Sequence, residues 1–161
     1  MLRSFFFLIF SLSLVCCQTV QPQNDETAST EEAAPAIRYA PSSLQKMHWL
    51  AGIWKGEEAG QVTRQFFQFH NDRTLEVMYT DEDGDLSSLA FTWFDGSYYY
   101  GTGRRWLVTW IGEKDVRFDP MHPDAEPMTW TRLNDQQWHL IRHTPSGDKA
   151  TLMERADEMQ P

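Results

Sequence analysis

The sequence predicts an all-β fold: a single antiparallel up-and-down barrel of about eight to ten strands, with a short N-terminal helical turn. Three observations predict it. About ten short runs alternate apolar and polar residues between Ile53 and Arg155, the period of a half-buried strand. Nearly all of them are joined by short turns rich in Gly, Asp and Asn, which is the order of a meander. No stretch after Leu50 has helical period, and nothing repeats internally. A long meander carries two exposed edges, and closure into a barrel removes them. A two-sheet sandwich is the alternative.

The folded region opens at Leu44–Glu58, LQKMHWLAGIWKGEE. Leu44, Met47, His48 and Leu50 fall at helical spacing, and Ser42 or Ser43 can cap the turn. Gly52 lets the backbone bend before the first strand, Ile53–Glu58. The strands that follow are 61–70, 74–80, 86–94, 97–102, 104–111, 115–119, 128–133, 137–143 and 149–155. Asn71-Asp72-Arg73 and the acidic run Asp81–Asp85, with Gly84 placed for positive φ, make the next two turns. Asp95-Gly96 is a strong hairpin signal. Gly103 and Gly112-Glu113-Lys114 follow, then the Pro-rich loop Pro120–Pro127. Asn134-Asp135 and Pro145-Ser146-Gly147-Asp148 close the set.

The phrase His48-Trp49-Leu50-Ala51-Gly52-Ile53-Trp54-Lys55-Gly56, a helical turn followed by G-x-W on strand one, resembles the opening of calycin barrels, the lipocalins and their relatives. The longer phrase looks more like small bacterial lipocalin-like domains of unknown function. A Phe118, Pro120, His122, Asp124, Pro127 pattern loosely resembles a loop of those same domains. The resemblance implies a barrel closed at its base by an arginine from near the last strand, stacked on the first-strand tryptophan. Trp54 and Arg155 match those places, with Arg142 as second choice, and Gly52, Trp54 and Arg155 are thereby structural residues. Haem-binding relatives, the nitrobindin-like domains, share the G-x-W-x-G start. Their glycine-rich and histidine pattern is absent here; His139 or His143 would be the ligand to test, and no cofactor is named.

The chain before the barrel divides in two. Met1-Leu2-Arg3 followed by the apolar Ser4–Val15 reads as a signal peptide over residues 1–17; a dozen apolar residues fall short of the ~20 that span a bilayer. Leu14-Val15-Cys16-Cys17 resembles a bacterial lipobox with Cys17 as the lipidated residue, although Cys16 stands where a small residue is usual. Gln18, in place of Asp, implies by the same resemblance the periplasmic face of the outer membrane. Residues 18–41 are rich in Gln, Thr, Ser, Glu, Ala and Pro and cannot bury enough surface to fold. As a flexible tether they would span roughly 25–30 Å. Residues 42–157 form the barrel.

Composition excludes several functions. Net charge is −9, which disfavours nucleic acid and anionic membrane surfaces. Membrane contact is expected through the lipid anchor alone, and the barrel is expected to be a monomer. Both cysteines lie in the leader, so the barrel has no disulfide, no thiolate nucleophile and no Cys-based zinc site. No nucleophile elbow, phosphate loop or His-Glu-x-x-His is present.

Aromatics make up 14% of the chain, seven of them Trp, and each buried ring hides roughly 150–250 Å². Phe67 and Phe69, Phe91 and Trp93, Tyr98 and Tyr100, and Trp106 and Trp110 are each in phase on a strand, and Trp130 and Trp138 lie on the two strands after the Pro-rich loop. Gln65, Glu76, Thr92, Thr109, Thr131 and Glu154 interleave with them. An interior holding rings and a few polar groups suits a small apolar or amphipathic ligand. The residues expected to line the interior or mouth are Phe67, Glu76, Trp93, Tyr99, Trp110, His122, Trp130 and His139. Two alternatives stand beside the ligand carrier. One is a barrel-mouth hydrolase or metal-assisted enzyme using His122, Asp124 and Glu126. The other is a filled barrel acting as an envelope structural protein through surface aromatics.

Overall fold

Ten antiparallel strands close into one barrel, each bonded to its neighbours in the chain, with β1 pairing β10 to seal the ring. The computed structural model describes residues 37–58, 60–80 and 85–157. Residues 1–36, with the leader, Cys17 and most of the expected tether, lie outside the described residues, as does Gly84. The strands are β1 Gly52–Glu58, β2 Gln61–Phe69, β3 Thr74–Thr80, β4 Leu86–Phe94 and β5 Ser97–Tyr100. They continue as β6 Trp106–Ile111, β7 Asp115–Pro120, β8 Met128–Arg132, β9 Gln137–Thr144 and β10 Gly147–Ala156.

Turn chemistry sets the bounds. At the β4–β5 hairpin, Phe94 faces Ser97 across Asp95 and Gly96, whose φ angles are 45° and 80°. Positive φ at both central residues matches the right-handed twist of the strands, and Asp-Gly tolerates it best. β5 ends at Tyr100, two residues before the predicted end. Gly101, Gly103 and Arg104 all take positive φ there, which breaks the pleat. β10 begins at Gly147 rather than Lys149, because Pro145-Ser146 alone make the turn between the paired Thr144 and Gly147.

The opening element is a 3-10 helix, Pro41–Leu50. The expected serine cap is replaced: Ala40 stands at the N-cap with no side-chain bond, and Pro41 starts the helix, where its fixed φ suits the first turn. Leu44, Met47 and Leu50 are fully buried and plug one end of the barrel. Trp54 donates its Nε1–H to the Leu50 carbonyl at 2.6 Å. The Arg155 guanidinium sits 4.2 Å from the centre of the Trp54 ring. It also donates to the carbonyls of Ala51 at 3.0 Å and Asp135 at 3.2 Å. A Cβ at Gly52 would lie 2.8 Å from that guanidinium, and Gly52 already has a φ of 109°.

Above this base sits a ring cluster. Trp130 stacks near Phe118 at 4.7 Å, Tyr100 and Trp138 at 5.4 Å, Phe67 at 5.5 Å and Phe91 at 5.6 Å. Offset and edge-on rings at these spacings add to simple burial.

The base also carries a pH signature. The Tyr98 hydroxyl bonds the carbonyls of Pro41 and Asp72, the latter at 2.8 Å. Burial, helped by the Asp72 carboxylate, pushes it up to about 12. Between the ordinary 10.0 and that value the unfolded tyrosine has lost a proton that the folded one keeps, so stability falls as pH rises through this window. In alkaline denaturation series, Tyr98→Phe is expected to make that decline shallower.

Candidate functional site

The barrel is filled at its base and open at its other end. Glu58, Gln65, Arg142, Thr151, Leu140 and Met153 are among the residues around an open cavity of about 660 Å³. A smaller lobe of about 290 Å³ lies under the β7–β8 loop, against Leu89, Tyr100, Trp106, Met128, Trp130 and the same Leu140. Gln65, Leu140 and Arg142 line both, so the lobes meet at these three side chains.

Strand parity places the polar groups. On β1, Glu58 is in phase with the buried Trp54 and Gly56. On β9, Arg142 is in phase with the buried Trp138. The β1–β10 backbone ladder runs from Ile53 and Ala156 to Gly56 and Met153. Beyond it, side chains bridge the two strands: Arg142 donates both Nη groups to Glu58, at 3.1 and 2.6 Å, and Thr151 donates to Glu58 at 3.2 Å. Gly56 lets the strands come together there, since a Cβ would meet the Met153 sulfur and, at 3.0 Å, the Thr151 methyl.

The β7–β8 loop crosses the rim. Trp106 donates its ring N–H to the Glu126 carbonyl at 2.9 Å. Arg105 donates to the Asp124 carboxylate at 3.0 Å, and the His122 ring hydrogen-bonds the same carboxylate. That bond, with Arg105, holds the Asp124 carboxyl below its usual range. Inside, burial and then the neighbouring Tyr79 push the Tyr100 hydroxyl up. Two buried polar atoms on the cavity walls have no protein partner: the Gln65 side-chain oxygen and the Trp130 Nε1.

Of the residues expected at the interior or mouth, Trp130 lines the smaller lobe. Phe67 lies fully buried in the ring cluster beside it. Trp93 faces inward but at the base, donating to the Tyr39 carbonyl at 3.0 Å. Glu76 faces outward, out of phase with the buried Leu75 and Val77, and bonds His70 at 2.8 Å. That bond, with one from Ser88, lowers its pKa. Tyr99 is outward too, under the Arg104 guanidinium at 4.9 Å. His139 is out of phase with the buried Trp138.

Trp110 would be inward by parity with Trp106 and Val108, but the register shifts between Val108 and Trp110. That bulge turns Ile111 in and leaves Trp110 47% exposed. His122 is exposed on the rim loop. Arg142, the second choice for the base, sits at the mouth, where it forms a charged group with Glu58 that no sequence motif marks. Of the interleaved polar residues named above, Gln65 is the one that lines the cavity. Among the described residues no group of three or more His, Cys, Asp or Glu is placed to hold a metal ion.

No family model matches the chain, and no curated protein matches it. Among solved structures it is similar to a redesigned β-barrel, at 19% identity over 74% of this chain and 97% of that one, with a TM-score of 0.37.

Proposed function

We propose that this is an exported, lipid-anchored, lipocalin-like barrel that binds one small amphipathic molecule in its open mouth. The observation that carries the reading is the cavity of about 660 Å³ at the end opposite the plugged base. That size falls in the range of roughly 300–1,000 Å³ typical of small-molecule sites. Its walls are mixed: Leu140 and Met153 offer apolar contact, while Arg142, Glu58, Thr151 and Gln65 offer polar groups. A few placed polar groups in an apolar surround fix orientation without demanding a rigid partner. The export and the anchor rest on the Ser4–Val15 run and Cys17, and the lipocalin likeness on Gly52, Trp54 and the barrel topology.

Native mass spectrometry of the protein, purified from its host without denaturation, tests the reading. One small molecule per chain is expected. Leu140 borders both lobes, so Leu140→Trp should fill the junction and abolish the adduct while circular dichroism stays unchanged. A bare mass for the wild-type protein, before and after adding extracted envelope lipids, would overturn the proposal.

A further inference from the structure

Resting on that reading, we infer that the bound molecule is an uncharged amphiphile whose hydroxyl or amide head lies in the smaller lobe, against Gln65 and Trp130. Its apolar part lies along Leu89, Met128 and Leu140.

The first argument is charge. The cations facing the cavity are Arg142 and Arg105. Arg142 is bound through both Nη atoms to Glu58, and Arg105 is bound to Asp124. A ligand carboxylate would have to displace an intramolecular one that is already held in place, and bidentate arginine pairs are the stronger kind. The remaining acid of the lining, Glu126, is exposed at the rim and repels an anion further. The same pairing works against an alkylammonium head deep in the lobe, because Glu58 and Asp124 already have their cations and Glu126 lies out at the exposed rim.

The second argument is the unpartnered atoms. Trp130 is 1% exposed, borders the smaller lobe, and its ring N–H has no protein acceptor. The buried amide oxygen of Gln65 borders the same lobe and has no protein donor. Buried polar groups left unpaired favour any ligand that pairs them. A hydroxyl can accept from the indole and donate to the amide oxygen at once, and a primary amide can do the same. The oxygen and nitrogen of a glutamine amide are assigned from their surroundings, and a hydroxyl serves both orientations, since it can also accept from two donors. A carboxylate serves one orientation and an ammonium neither. The third argument is the wall itself: Leu89, Met128 and Leu140 are apolar and border the same lobe.

Isothermal titration calorimetry with a matched series of one medium chain length tests this: the alcohol, the primary amide, the carboxylate and the alkylamine, at neutral pH. The alcohol and amide are expected to bind at least about tenfold more tightly than the two charged members. Trp130→Phe keeps most of the ring and removes the donor; it should weaken the alcohol about five- to tenfold and the carboxylate less. Tightest binding by the carboxylate or the amine would overturn the inference and leave the cavity reading intact. Equal affinities of wild type and Trp130→Phe for the alcohol would overturn the placement of the head. Should none of the four bind, the native mass spectrum decides. An adduct with a neutral head supports the inference, an adduct with a charged head overturns it, and a bare mass removes the cavity reading on which it rests.

Discussion

Trp54→Ala is expected to lower the unfolding free energy by about 3–5 kcal/mol, read as a shift in the urea midpoint with an unchanged slope. Trp54 is 1% exposed, and three features depend on it. Its ring packs edge-on against Trp138 at 6.2 Å. Its N–H satisfies the Leu50 carbonyl at the end of the 3-10 helix, an acceptor that would be orphaned by the substitution. Its face carries the Arg155 guanidinium. A single domain has about 5–15 kcal/mol of stability in all, so the loss should also lower the melting temperature by about 10 °C or more. Arg155→Met removes the cap and leaves the ring. It should cost about 0.5–2 kcal/mol from the lost cation–ring contact. A Trp54→Ala protein as stable as wild type would show that the 3-10 helix and Arg155 do not seal the base.

Trp130→Ala is expected to cost a similar amount, about 3–5 kcal/mol, through a different route. Trp130 satisfies no backbone group; its Nε1 has no protein partner. Its contribution comes from touching five other rings. Truncation leaves a hole directly beneath the smaller lobe, so the barrel loses stability and gains cavity together. Trp130→Phe should cost markedly less, because it keeps most of the ring contact and removes an unsatisfied donor. Denaturant titration of the three proteins checks the order: wild type, then Phe, then Ala. An alanine variant within about 1 kcal/mol of wild type would show that the cluster repacks around the gap.

Strand positions were legible because period two and turn chemistry are both local. Asp95-Gly96 and the run Thr74–Thr80 needed no tertiary information. Which face of each strand points inward was harder. Parity alone puts Glu76 opposite Leu75 and Val77, Tyr99 opposite Tyr98 and Tyr100, and His139 opposite Trp138. The chemistry of a Glu, a Tyr or a His carries no information about that parity. The same parity places Glu58 with Trp54 and Arg142 with Trp138, so the charged group at the mouth was readable. A charge on a strand is usually a solvated one, which hides such a pair among ordinary surface charges. Trp110 is a different kind of miss. Its outward turn comes from a register shift against β7, a fact of pairing that no property of β6 alone encodes. The partition into a solid base and an open mouth depends on which rings stack layer by layer, and so on the whole closed register.

The strand count has a consequence for how the barrel can be attached. Ten is even, so a chain that enters at the base leaves at the base: Ile53 faces Ala156 there. Both connections to the rest of the polypeptide therefore lie at the pole away from the cavity. A segment that continues the chain from either strand therefore starts at the base and not at the rim. A reporter protein joined directly after Asp157 should leave the mouth as accessible as in the free barrel.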